Sequence, residues 1–280
     1  MKPLLKSFIA ILVAASVGVP VGFYAYQLSN SAVVTPSDFI PANSTDVVEL
    51  NINNTVGYFF ISNDYPAAVL QISAGNITSL LSNISGSKNA MNNSSLLSMS
   101  PYESYKGYMI YNISLSNKSS LSNLTYGKAA FPLNLTTFIH NMTMIFLSPI
   151  SSKSVITGTL QGIKYGIDAA TGSSAGQFPL AKYFEEGTNL SLFLVTRNTS
   201  VSTITLNVFQ NRTDGNITFT EAAVGQQVVL AISATSTVLG LNVTSMKLES
   251  TYVTFSLDTG TGGLRNLAAF FEKSGWIGYS

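Results

Sequence analysis

Twenty consecutive uncharged residues, Ser7 to Tyr26 (SFIAILVAASVGVPVGFYAY), set the tightest limit on how this 280-residue chain is organised. At about 1.5 Å per residue a helix of that length spans about 30 Å, one bilayer hydrocarbon core. A cleaved signal peptide has a shorter apolar centre, about 7–15 residues, and then a small-x-small site. No such site stands out, so residues 7–27 read as a retained anchor in contact with the lipid bilayer. Lys2 and Lys6 precede the span, and the next basic residue is Lys88. That asymmetry puts residues 1–6 in the cytoplasm and the C-terminal domain outside, as a single-pass protein of the cell membrane. Pro20 and Gly22 lie inside the span, where a lipid-embedded helix accepts them with a kink.

The second constraint is asparagine placement. With 23 Asn and 64 Ser plus Thr, random order would give about 5 N-x-[ST] sequons. The chain has 16, at Asn43, Asn53, Asn76, Asn83, Asn92, Asn93, Asn112, Asn117, Asn123, Asn134, Asn141, Asn189, Asn198, Asn211, Asn216 and Asn242. A threefold excess in a region placed outside the membrane marks these asparagines as N-glycosylation sites, which belong on the surface. Asn92 and Asn93 are adjacent, so sterics allow one glycan on that pair.

Composition narrows the function. Fourteen Lys plus Arg against thirteen Asp plus Glu leave a net charge of +1, with no basic stripe for phosphates, so no nucleic-acid partner is expected. At 46% hydrophobic and 10% charged, with mean hydropathy +0.29, the chain is not of the disordered class. Absence of cysteine removes disulfides, Fe–S clusters, thiol catalysis and zinc fingers together. Dense sequons without cysteine, behind an N-terminal anchor, resemble the layout of archaeal membrane-anchored surface glycoproteins. The basic start, apolar helix and β-rich head are also similar to archaeal type IV pilins, whose precursor would be cut between Ser7 and Phe8. Ser7 stands where Gly or Ala is usual in that family, and Pro20 interrupts the helix.

Residues 28–42 (LSNSAVVTPSDFIPA) read as a stalk, 43–150 as an N-terminal β-rich region, and 151–280 as a C-terminal β-sandwich with a terminal helix. VVELNI and VGYFFIS flank the turn-prone Asn53-Asn54 as a hairpin. Tyr65–Ser85 fits either a strand followed by other structure or one helix with Leu70, Ile77, Leu80, Leu81 and Ile84 on a face. Residues 83–100 read as a loop, and Tyr105–Leu115 and Leu135–Leu147 as strands. Lys153–Ala170 reads as two Gly-interrupted strands, Phe178–Glu186 as a short helix, and Asn189–Asp258 as about six strands. Thr203–Phe209 alternates Ile204, Leu206 and Val208 with polar residues, and Leu239, Leu241 and Val243, then Val253, Phe255 and Leu257, form one face each of two further strands. The fold class expected is mainly β (α+β), with two sheets packed as a sandwich and a few short helices. Leu264, Leu267, Ala268 and Phe271 at i, i+3, i+4, i+7 mark the terminal helix. Tyr105-Lys106-Gly107-Tyr108 and Leu160-Gln161-Gly162-Ile163 hint at a duplicated strand pair.

Candidate chemistry is thin. Gly172-Ser173-Ser174-Ala175-Gly176 matches the G-x-S-x-G elbow of α/β-hydrolases, which needs a strand before the Ser and a His after it. The one histidine, His140, lies before Ser174, so the motif reads as a turn. Ser85-x-x-Lys88 has Ser–Lys spacing but sits in the Asn/Ser-rich stretch. Glu185 and Glu186 are adjacent and diverge by about 100° on a helix, and Asp168 and Asp214 have no visible acid partner. Thr259 to Gly263 lacks the Lys of a phosphate loop. No catalytic, metal or cofactor site is therefore expected. The reading is a non-enzymatic, N-glycosylated, membrane-anchored surface protein that binds or scaffolds protein partners. The alternatives are an accessory subunit of a membrane complex, a pilus or filament subunit, or a secreted hydrolase. Partner contacts are expected through the sequon-free stretches Met144–Thr188 and Ser245–Ser280, the second containing Phe270, Phe271 and Trp276.

Overall fold

The computed structural model describes residues 35–52, 55–71, 97–115, 145–151, 154–172, 176–196 and 200–260. The anchor, the terminal helix, His140, Ser174, Ser85 and Lys88 lie outside them. The fold is mainly β: twelve strands and three α-helices among the described residues. Contacts divide the chain into two units, one of Pro3–Ser44 with Thr55–Phe178, the other of Thr45–Asn54 with Pro179–Ser280.

In the first unit β2 (Thr55–Ser62), β3 (Tyr65–Gln71), β4 (Leu97–Tyr105), β5 (Tyr108–Leu115), β6 (Ile145–Ser151) and β7 (Ser154–Gly158) form an antiparallel sheet in the order β2-β3-β7-β6-β5-β4. Two tight turns set its register. Asn63 and Asp64 close β2–β3 and Lys106-Gly107 closes β4–β5, all four with positive φ, as a two-residue hairpin of the right twist requires. Helix α1 (Leu160–Ala170) follows β7 directly. Thr159 caps it by accepting from the Gly162 N–H at 3.1 Å, and the same hydroxyl donates to the Pro66 carbonyl. Gly162 and Gly166 let the helix backbone come down onto β3 and β7, where a Cβ at 162 would stand 2.5 Å from the Pro66 oxygen. Phe39, Phe60, Ile156, Ile163 and Ile167, each at 0% exposure, fill this layer.

The second unit has β1 (Ser44–Ile52), β8 (Leu190–Val195), β9 (Val201–Val208), β10 (Arg212–Phe219), β11 (Asn242–Leu248) and β12 (Tyr252–Asp258), ordered β11-β12-β10-β9-β8-β1 and antiparallel throughout. Its apolar face carries Ile204, Leu206 and Val208 of β9, Ile217 of β10, and Val253, Phe255 and Leu257 of β12, all buried. Phe255 lies across its register partner Gly215, whose missing side chain makes the room. Helix α3 (Ala222–Leu239) packs on β10, β11 and β12 through Gly225, Val228 and Ile232. The short α2 (Leu180–Tyr183) falls in the helix expected at Phe178–Glu186.

Several expectations change. Within its own unit each sheet carries a helix on one face, α1 on β3, β6 and β7 and α3 on β10, β11 and β12. Of the stretch Lys153–Ala170, the described residues 154–170 are one strand and one helix: the glycines at 162 and 166 mark close helix packing, four residues apart on one face, instead of interrupting a strand. Residues 222–239 are helical although rich in Val, Ile and Thr, because the buried positions 225, 228, 232 and 236 follow the helical period. Ser236 and Thr237 return their hydroxyls to the carbonyls of Ile232 and Ser233. Residues 97–100 belong to β4. Tyr105–Tyr108 is a hairpin turn and Leu160–Ile163 a helix start, so the two are not copies of one strand pair. Helix α3 alone among the described helices is long and apolar enough to cross a bilayer by length and composition.

Replacing Gly162 by Val forces a side chain into the Pro66 backbone, and should lower the unfolding free energy by about 1–3 kcal/mol. Urea denaturation should show an earlier midpoint with unchanged slope. Gly107→Asn, at a turn with φ +86 and open space around it, should cost less than about 1 kcal/mol.

Candidate functional site

On β9, β10 and β12 the face opposite α3 is polar by alternation. Thr205, Asn216 and Thr254 stand side by side across β9, β10 and β12, and Asn207, Asp214 and Ser256 form the next row. Ser245 of β11 extends that second row. Over this floor runs the segment Ala181–Glu185, and the two enclose a groove of about 570 Å³.

One amide holds wall to floor. The Asn207 Nδ2 donates to the Tyr183 carbonyl at 3.1 Å, while its Oδ1 accepts from the Glu185 N–H at 3.2 Å. The Tyr183 ring also packs on Phe193, 4.5 Å between centroids. Asp214 is engaged on both oxygens: Ser256 Oγ donates to Oδ1 at 2.6 Å and Arg212 Nε pairs with Oδ2 at 2.9 Å. The Arg212 guanidinium lies over the Phe209 ring, 4.5 Å from its centroid. The four charged groups along the lining, Lys182, Arg212, Glu185 and Asp214, sum to zero charge. The Asn216 Oδ1 is buried with no hydrogen-bond partner, a state that costs about 1–3 kcal/mol until a donor reaches it.

A second polar cluster joins β4 to α1 in the first unit. Asp168 of α1 accepts from the Tyr105 hydroxyl at 2.9 Å and pairs with Lys106 at 2.5 Å, and Lys164 pairs with Glu103 at 2.7 Å. The two lysines stand 5.6 and 5.2 Å from the Tyr105 ring centroid. Burial, the Asp168 hydrogen bond and the charges of Asp168 and Glu103 all raise the Tyr105 pKa. Each carboxylate here is matched by a cation, so the cluster ties the β4–β5 hairpin to α1.

Asp168 thus sits on a helix, not on the strand expected from sequence. The Gly172–Gly176 motif follows the C-terminus of α1, with Gly172 at φ +72, so a helix stands where a nucleophile elbow needs a strand. Glu185 lies on the groove wall and both it and Glu186 are exposed. Among the described residues no group of three His, Asp or Glu converges as a metal site. Of the sequon asparagines, Asn43, Asn189, Asn211 and Asn242 are exposed, whereas Asn112 and Asn216 sit within strands with the Oδ1 buried. The other ten sequons, at Asn53, Asn76, Asn83, Asn92, Asn93, Asn117, Asn123, Asn134, Asn141 and Asn198, lie outside the described residues. Sequence reading passed over Thr205, Asn207, Thr254 and Ser256. Their signal was the polar half of the same alternation that revealed the apolar face.

Asn207→Ala removes two hydrogen bonds worth about 1 kcal/mol each. It should lower stability by about 1–2 kcal/mol and speed amide exchange at Glu185, read by hydrogen–deuterium exchange. A raised tyrosine pKa contributes stability present below about pH 10 and lost as pH rises through the folded-state value. Urea midpoints of the wild type should therefore fall more steeply at alkaline pH than those of Tyr105→Phe.

Compared with protein-family models, with curated proteins and with solved structures, the chain matches none, so its function is argued from the chemistry of these sites.

Proposed function

We propose that this chain is an N-glycosylated cell-surface protein, held in the membrane by residues 7–27 with its C-terminal domain outside, that binds or scaffolds partners without catalysing a reaction. The observation that carries the reading is the groove of the second unit. Asp214, its central carboxylate, already holds Ser256 and Arg212, and Glu185 stands exposed on the wall. General acid–base chemistry needs a carboxyl group free to reach its reacting atom, whereas a floor of hydroxyls and amides supplies recognition.

Edge strands β4 and β11 bear on the filament alternative. β4 carries Pro101 and a register shift between Pro101 and Glu103, and β11 carries a shift between Val243 and Ser245 together with Lys247. Bulges, proline and lysine blunt strand addition, which weighs against assembly by edge pairing. The accessory-subunit reading draws support from α3, which has no charged residue over eighteen positions and leaves Leu230 and Val238 each 68% exposed.

Carbonate washing should leave the chain in the membrane fraction, and glycopeptide mapping should find most of the 16 sequons occupied. Gentle detergent extraction and native sizing should then give a discrete complex with other proteins. Fibres would favour the filament reading. A monodisperse monomer with hydrolytic activity lost on Ser174→Ala would overturn the proposal.

A further inference from the structure

Resting on that binding reading, we propose that the groove of the second unit is a saccharide site. Three features of the lining select the ligand class. The charges of Lys182 and Arg212 are balanced by Glu185 and Asp214 within the groove itself, so neither an anionic nor a cationic ligand gains net attraction. The floor presents hydroxyls, amides and a carboxylate in two rows, Thr205, Asn216 and Thr254, then Asn207, Asp214 and Ser256. Such rows offer donors and acceptors to a ligand that carries both on adjacent carbons, and they repel an apolar one. The wall adds Tyr183 and Phe184, half-buried aromatic side chains suited to the C–H faces of a pyranose. A neutral polyol with apolar ring faces meets all three conditions. The volume of about 570 Å³ falls in the range of small-ligand sites.

Asn216 joins this site to the glycosylation pattern. It opens the sequon Asn216-Ile217-Thr218, yet its side chain is on the groove floor. A glycan linked to its Nδ2 would begin at the groove floor. The saccharide therefore has two sources, the chain's own glycan on Asn216 or a glycan from outside, and both present the same chemistry to the same residues.

The test uses the full chain in detergent, made in a host without N-glycosylation and, in parallel, purified with its native glycans. Saturation-transfer NMR with the methyl glycosides of glucose, galactose, mannose and N-acetylglucosamine reads binding. The unglycosylated chain should bind at least one of them. A Thr254→Val, Ser256→Val double variant, which keeps strand propensity and removes two hydroxyls, should bind that sugar about tenfold more weakly with an unchanged circular dichroism spectrum. If native Asn216 is occupied, the native chain should not bind added sugar and Asn216→Gln made in the native host should regain binding, which assigns the groove to the chain's own glycan. If Asn216 is unoccupied and the native chain binds as the unglycosylated one does, the ligand comes from outside. No signal from any of the glycosides, or equal binding by the double variant, overturns the saccharide site. Either failure leaves the anchored, complex-forming reading to be decided by the sizing experiment.

Discussion

Burial of one face of an antiparallel sheet beneath a helix is the interaction on which each unit depends. The chain has no cysteine to cross-link and few charges to pair, so stability has to come from apolar area removed from water, at about 25 cal/mol per Å². On β9, β10 and β12 alternation supplies that area on one side, whereas β7 is buried along its whole length. In the second unit Ile204, Leu206, Val208, Ile217, Val253, Phe255 and Leu257 all go to one side, and α3 settles on part of it. In the first unit α1 does the same over β3 and β7, helped by glycines where the helix backbone meets the sheet. A close approach of that kind gains dispersion contacts and is intolerant of added volume.

The polar groove follows from the same rule. With side chains at period two, every residue sent to the core on β9, β10 and β12 sends its neighbour to the other face. That face carries Thr, Ser, Asn and Asp, short side chains that leave room above the sheet. Segment Ala181–Glu185 closes over it because Asn207 satisfies one carbonyl and one N–H of its backbone at once. A bare aliphatic side chain at 207 would leave both groups to water. The site is thus held by a residue that is itself part of the lining, so loss of the clamp and loss of the lining are one event.

Sequons placed within strands set two demands against each other. A strand position with its Oδ1 buried, as at Asn112 and Asn216, favours a compact side chain, whereas a glycan needs open space. At Asn216 the groove supplies that space, and at the exposed Asn43, Asn189, Asn211 and Asn242 the surface does.

Two strands were legible where one face was strictly apolar: β9 and β12 stand where Ile204–Val208 and Val253–Leu257 placed them, whereas Leu239, Leu241 and Val243 show the same spacing although Leu239 ends α3 and β11 begins at Asn242. The two longer helices were not. α3 exposes Gln, Ser, Thr, Ala, Leu and Val with no charge, so its amphipathic contrast is weak, and its β-branched residues imitate strands. α1 carries glycines that read as breaks until the sheet beneath explains them. The groove was half legible: polar alternation was visible on each strand. Strand order decided the rest, because β12 lies beside β10 with α3 and β11 between them in sequence, bringing Asp214 to Ser256 across 42 positions. Local pattern determines which face a residue takes, since that depends on the backbone period alone. Which residues share a face depends on long-range pairing, whose energy resides in contacts that no local stretch of sequence contains.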